Sequence, residues 1–336
     1  MKTDCFLKPA GKGAPVMLLG MICVLVAGAI SGCSSVPKSA LKSVQDNRLS
    51  AIPAGREKMT AGSDSLPPIL HSSEYSSPEP LGPSVNTPGG EDSAFILPDG
   101  KTLYFFFTPD VSVPAEKQLL DGVTGIWRSG KDGNTWSEAE RVVLEGKNEL
   151  ALDGAAFVGG DEMWFASARK GNYRGVDIWR AVLKGGHWTD WRNAGRQLNV
   201  DYEAGEFHFS PDGGQMYFHS ARTGGKGGLD IWVTRRSGTE WTVSENISAV
   251  NTEGDEGWPF LTEDGRELWF TRTYMGSPAI FRSTKTEEGW SEPELIISQF
   301  AGEPSLDSEG NIYFTHHYFR DGKMIEADIY VACRRG

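Results

Sequence analysis

"DIWVTRRSGTEW", Asp230 to Trp241, sets two tryptophans nine positions apart around a polar Arg-Arg-Ser-Gly run. The same interval recurs from Trp127 to Trp136, Trp179 to Trp188 and Phe281 to Trp290. The leading aromatics, with Tyr330 of "DIYV" as a fifth, are spaced roughly fifty residues apart, a period typical of propeller blades. Helical solenoids fit poorly, because the repeats lack a sustained 3.6-residue periodicity.

Four strand-like runs fill each repeat. The first is a run such as "EFHFS" or "GWPFLT". A Gly-containing turn ("PDGK", "PDGG", "EDGR") leads to a strongly aromatic second run: "LYFFF", "MWFAS", "MYFHS", "LWFTR" or "IYFTH". The third is "DIW", "AIF" or "DIY", and the fourth starts at the second aromatic. The nine-residue interval is therefore the end of strand three, a turn and the start of strand four. Large rigid aromatics suit the faces between wedge-shaped sheets, the role expected for every repeat tryptophan except Trp258.

The fifth repeat runs out at Gly336 before its fourth strand. Upstream, "SSPEPLGPSVNTPGGED" (Ser76–Asp92) matches "WTVSENISAVNTEGDEG" (Trp241–Gly257) around "SVNT" and "AVNT". The expected fold class is all-β: a five-bladed β-propeller closed by an N-terminal strand in the last blade. Closure removes the sheet edges that an open array would expose.

"FSPDGGQMYFHSARTGGKGGLDIW" (Phe209–Trp232) resembles the PD40 repeat, a WD40-like module of TolB-type propellers and of many bacterial envelope lipoproteins. The resemblance runs from Ser76 to the C-terminus. The second repeat departs from it at "VGGDE" and the fourth at "YMGSPA". It implies the fold and, more loosely, a protein that binds other molecules; some members carry hydrolase domains. "SGKDGNTW" (Ser129–Trp136) is similar to the Asp-box turn of sialidase-type propellers, with Lys131 where that turn has aspartate.

Lys2, Lys8 and Lys12 precede the apolar stretch Ala14–Ile30, and "ISGC" (Ile30–Cys33) resembles the bacterial lipobox. Residues 1–32 thus read as a lipoprotein signal peptide, with Cys33 as the lipidation site and membrane anchor. A retained signal anchor is the alternative, for which the stretch is short. Ser34 fits an outer-membrane destination, on the periplasmic or the surface side. Residues 33–73 read as a flexible tether, and 74–336 as the propeller. The formal charge of −12 becomes −14 without residues 1–32. That excludes nucleic acid as partner and leaves an envelope protein or glycan. Cys5 and Cys23 leave with the signal, so Cys333 has no disulfide partner. Zinc-type cysteine spacing is absent, and no cofactor is expected.

Strand direction gathers acids at the starts of first strands: Glu91, Asp92, Asp153, Glu203, Glu206, Asp255, Glu256 and Glu303. The ends of second strands bring Arg169, Arg222, Arg272, His316 and His317 to the same rim. One reading is mutual neutralisation, with Asp230 holding the loop amides of "GGKGGLD". The other is a polar funnel whose ligand-binding residues are Trp258, Arg169, Arg222, Arg272, His316, Glu206 and Glu256, with Trp258 as a stacking platform. The function expected is non-catalytic binding of a protein or glycan through this acidic rim. The rival is a glycoside hydrolase, whose two carboxylates, about 5 to 9.5 Å apart, would come from Glu206, Glu256, Glu303 and Asp153. Neither a G-x-S-x-G elbow nor a Ser-His-Asp order is present. His316 and His317 point to opposite faces of a strand, so at most one reaches the channel, and no metal site is expected. The first repeat carries an extra stretch, Thr108–Gly122, readable as a lid, a docking loop or a plain surface insertion.

Overall fold

The computed structural model describes residues 47–147 and 149–336. The signal segment, Cys33 and the start of the expected tether lie outside them. The protein is all-β, in the arrangement of a propeller: successive antiparallel meanders, each innermost strand packed beside the next. The opening stretch is the third strand (Asp230–Ser237) and a fourth (Glu240–Trp241), with Arg236 opposite Trp241. Lys131 opposes Trp136 and Lys285 opposes Trp290 in the same way. In all three pairs the cation lies over the indole, 5.0–5.9 Å from its centroid.

The meanders begin with innermost strands Gly90–Ile96, Ala151–Gly159, Phe207–Phe209, Glu256–Leu261 and Ala301–Leu306. Each innermost strand touches the next, and the last touches the first. A left-handed glycine turns the chain into each second strand: Gly100, Gly160, Gly213, Gly265 and Gly310, where any side chain would be strained. Trp127 and Trp269 are fully buried between sheets, as packing requires.

The N-terminal segment meets the last meander as the matched motif predicts. Glu79 and Pro80 pair antiparallel with Val331 and Tyr330 of the strand Lys323–Ala332. Asn86 of "SVNT" accepts from Ile329 N–H (3.0 Å) and donates to Ile329 O (2.9 Å). Asn251 of "AVNT" makes the same two bonds to Ile231, and Asn199 to Ile178. One asparagine thus clamps the third strand of each of three meanders, and the residue before it (Val85, Val250, Leu198) is fully buried. Asn86→Ala strands the Ile329 peptide and should cost about 2 kcal/mol, read as a lower urea midpoint at unchanged m-value.

Residues 47–73 correct the expectation of a flexible tether. Arg48 is buried against Glu91, Lys58 pairs with Glu326 and Asp328, and Asp64 bonds His316. Ile69–Leu70 then adds an edge strand to the fourth meander, opposite Ser298 and Ile297. Charge and backbone pairing, not apolar alternation, hold this strap, so hydrophobic patterning gave no sign of it.

Candidate functional site

Each innermost strand except the third carries a non-glycine residue in the left-handed region where it crosses the centre: Ser93 (φ 50°), Ala155 (49°), Trp258 (52°) and Glu303 (59°). The strand register slips at the same places. These bulges turn side chains inward that a regular strand would turn sideways. Together with Glu206–His208 of the third meander they line one central cavity of about 50 Å³. That volume holds a few waters and no sugar ring.

The sequence-selected residues divide by what they touch. Asp153 takes Arg169 Nη2 at 2.5 Å, and Glu256 takes Arg272 Nε at 2.9 Å. Arg169 lies over Trp179 at 4.9 Å, Arg222 over Trp232 at 4.9 Å, and Arg272 over Phe281 at 4.6 Å. Arg222 also bonds Ser244. His316 is fully buried, with Nε2 2.9 Å from Asp64. These groups are taken up within their own meanders or by the strap and do not form an open funnel, so the acidic rim is internally neutralised there. Asp230 accepts from the Lys226 and Gly227 amides, as the neutralising reading expects. Trp258 is 5% exposed and lies tilted against the His219 ring, so it offers no open platform.

Glu206 and Glu303 differ: both line the cavity, and among the described residues neither pairs with lysine or arginine. Burial, then the Asp92 charge, pushes the Glu206 carboxyl up to about 8. The same causes raise Glu303 well above the carboxylate range. Burial opposes ionisation of Asp92 too, but the neighbouring His317 and Glu303 and the Ser93 N–H outweigh it and hold Asp92 below its ordinary value. Two carboxyls this close oppose each other's ionisation, which favours the charge on Asp92 over Glu303. Burial lowers His208 to about 3, against an opposing backbone hydrogen bond at Phe209, and lowers His219 to about 4, which favours neutral rings.

A second concavity, about 610 Å³, opens where the strap, the first-meander insertion and the last hairpin meet. Arg56 joins strap to insertion through Asp110 (2.7 Å) and strap to hairpin through Ile325 O (3.0 Å). Met59 and Met324 line its wall, and Arg320 and Lys323 project at its exposed edge. The sequence marked the insertion but not the strap that completes this groove.

No family model matches the sequence, and no curated protein matches it. Similar solved structures include TolB from Acinetobacter baumannii, 14% identical, covering 75% of this chain and 57% of TolB, with a TM-score of 0.44. This chain therefore spans little more than half of TolB's length. An endo-arabinase from Bacteroides thetaiotaomicron is 16% identical, with 73% and 94% covered and a TM-score of 0.48. A gluconolactonase from Xanthomonas campestris is 13% identical, with 80% and 95% covered and a TM-score of 0.43.

Proposed function

We propose that this chain is a lipid-anchored, PD40-like propeller of the cell envelope that binds a protein or glycan partner without turning it over. In this reading it has five blades, closed by residues 79–86 in the last. The cyclic contact of innermost strands and the repeated asparagine clamp support that count. The lipobox-like "ISGC" supports anchoring at Cys33, outer-membrane placement following from Ser34.

One observation carries the non-catalytic reading. Of the four carboxylates available to a glycosidase, Asp153 and Glu256 are tied to arginines, while Glu206 and Glu303 face a cavity of about 50 Å³. Ligand sites usually enclose several hundred cubic ångströms. The groove of about 610 Å³ has that scale, with methionines that adapt to varied surfaces and two exposed cations. The enzyme reading keeps one favourable feature, a raised Glu206 carboxyl fit for a general acid.

A glycan array, a pull-down from envelope extracts and a glycan hydrolysis screen, all on the detergent-purified full chain, separate the two. Binding without turnover, weakened at least tenfold by Arg320→Glu with Lys323→Glu, is the expected result. Turnover abolished by Glu206→Gln or Glu303→Gln would replace the binding role with the hydrolase.

A further inference from the structure

We propose that Asp92, Glu303 and His317 form a binding site for one divalent transition-metal ion, set where the first and last meanders meet at the central channel. One donor atom from each lies within 4.8 Å of the other two, and all three side chains are buried. His317 Nε2 is 3.6 Å from Asp92 Oδ1. Ligands about 2.1 Å from a tetrahedral ion stand roughly 3.4 Å apart, so small rotamer changes bring the set to binding distance.

Idle polar atoms carry the argument further. Asp92 Oδ2 and both ring nitrogens of His317 are buried with no hydrogen-bond partner. Desolvated, unpaired groups of this kind are costly and rare. Asp92 is fully buried and His317 is 5% exposed, so solvent does not satisfy them. Four other buried acids near this rim receive a cation: Glu91 from Arg48, Asp153 from Arg169, Glu256 from Arg272 and Asp328 from Lys58. Among the described residues Asp92 and Glu303 receive none. Glu206, a third acid without a lysine or arginine partner, lines the same cavity as Glu303.

The ligands are also oriented. Glu303 Oε2 accepts from Ser93 N–H (2.7 Å) and Thr315 Oγ1 (3.1 Å), and the Glu303 N–H donates to Thr271 Oγ1 (2.8 Å). Such outer bonds aim a ligand and tune its basicity. Two carboxylates with one imidazole suit zinc, manganese or iron(II). Calcium and magnesium favour oxygen donors throughout. The ion would tie residue 92 to residues 303 and 317 across the meeting of chain start and chain end. It would thus act as a clasp.

The test uses the full chain, stripped with a chelator and re-supplied with Zn²⁺, Mn²⁺, Co²⁺, Ca²⁺ or Mg²⁺. Metal content by plasma mass spectrometry should show one Zn²⁺ or Mn²⁺ per chain. The melting temperature should rise by roughly 5–10 °C at a hundredfold excess over Kd. His317→Gln and Asp92→Asn should each abolish the bound equivalent and the shift. Circular dichroism checks that each variant is folded. Should one variant fail to fold, the other carries the test, and Co²⁺ absorption in the wild type reports imidazole ligation directly. No stoichiometric binding by folded wild type, binding indifferent to both substitutions, or a response to Ca²⁺ alone would each overturn the site.

Discussion

Arg48→Ala should destabilise the protein by about 3–5 kcal/mol, the range for removing one partner of a buried ion pair. The Arg48 and Glu91 side chains are 4% and 0% exposed, 3.0 Å apart. Arg48 also donates to Val85 O (2.8 Å) and Ser84 O (2.7 Å), so the substitution strands two carbonyls as well. Its guanidinium lies over Phe105, Phe107 and Trp127 at 5.2–5.6 Å. The second, third and fourth meanders each lay their own arginine over the corresponding aromatic. The first has none in its second strand and receives one from the strap.

The loss should depend on pH. Burial pushes the Glu91 carboxyl up to about 8, with Arg48 and the Thr87 donors pulling against it. Without Arg48 the folded-state value rises further above the unfolded one. A group raised in this way stabilises below its unfolded pKa, and that stability is lost as pH climbs towards the folded value. The deficit of Arg48→Ala should therefore stay nearly constant from about pH 5 to 7 and grow above about pH 8, where wild-type Glu91 ionises and the unpaired carboxyl does not, read as urea midpoints from about pH 5 to 9. Adding Glu91→Gln should recover much of the loss above about pH 8, because the amide has no proton to retain on folding. Arg56→Ala is the control: its pair with Asp110 is partly exposed, at 24% and 17%, and should contribute only about 1 kcal/mol or less.

These cations mark the boundary of what the chain reveals locally. Nine-residue aromatic intervals reported strand, turn and strand, because a hairpin fixes both ends of its own pattern. "SVNT" and "AVNT" reported the strand from the N-terminus, because Asn86 and Asn251 perform one task, clamping Ile329 and Ile231. Arg48, Lys58 and Asp64 reach partners through single polar contacts distant in sequence, and such contacts leave no periodicity. Nor does any residue type announce the left-handed bulges at Ser93, Ala155, Trp258 and Glu303. Strand direction gathers the charges of the rim, and the bulges, which it does not report, set how deeply each side chain is buried. Trp258 was expected as a platform because it breaks the repeat; its inward turn follows from the bulge. Alternation separates His317 from His316 and lets at most one of them reach the channel. The approach of His317 to Asp92 arises only once the last meander packs against the first.

Gly205→Ala should cost more than about 3 kcal/mol, the upper part of the range for overpacking. A Cβ at Gly205 would stand 2.1 Å from His219 Nε2 and 2.3 Å from its Cδ2. The imidazole has no free direction, since a Cβ at Gly257 would meet Nδ1 at 2.9 Å from the other side. Space, not backbone conformation, fixes both glycines. The ring lies between two innermost strands and takes the Trp258 N–H at Nδ1 (3.2 Å) or the Glu206 N–H at Nε2 (3.3 Å). Being neutral, it accepts only one at a time. Gly205→Ala with His219→Ala removes the clash and leaves the milder cost of a vacated ring. The double variant should therefore unfold at a higher urea concentration than Gly205→Ala alone, a compensation that independent sites do not show. Should the single variant match wild type, the ring is free to move and the clamp does not exist. If the clamp holds, one histidine fixes where Glu206 and Trp258 enter the channel, because each directly follows one of its two glycines.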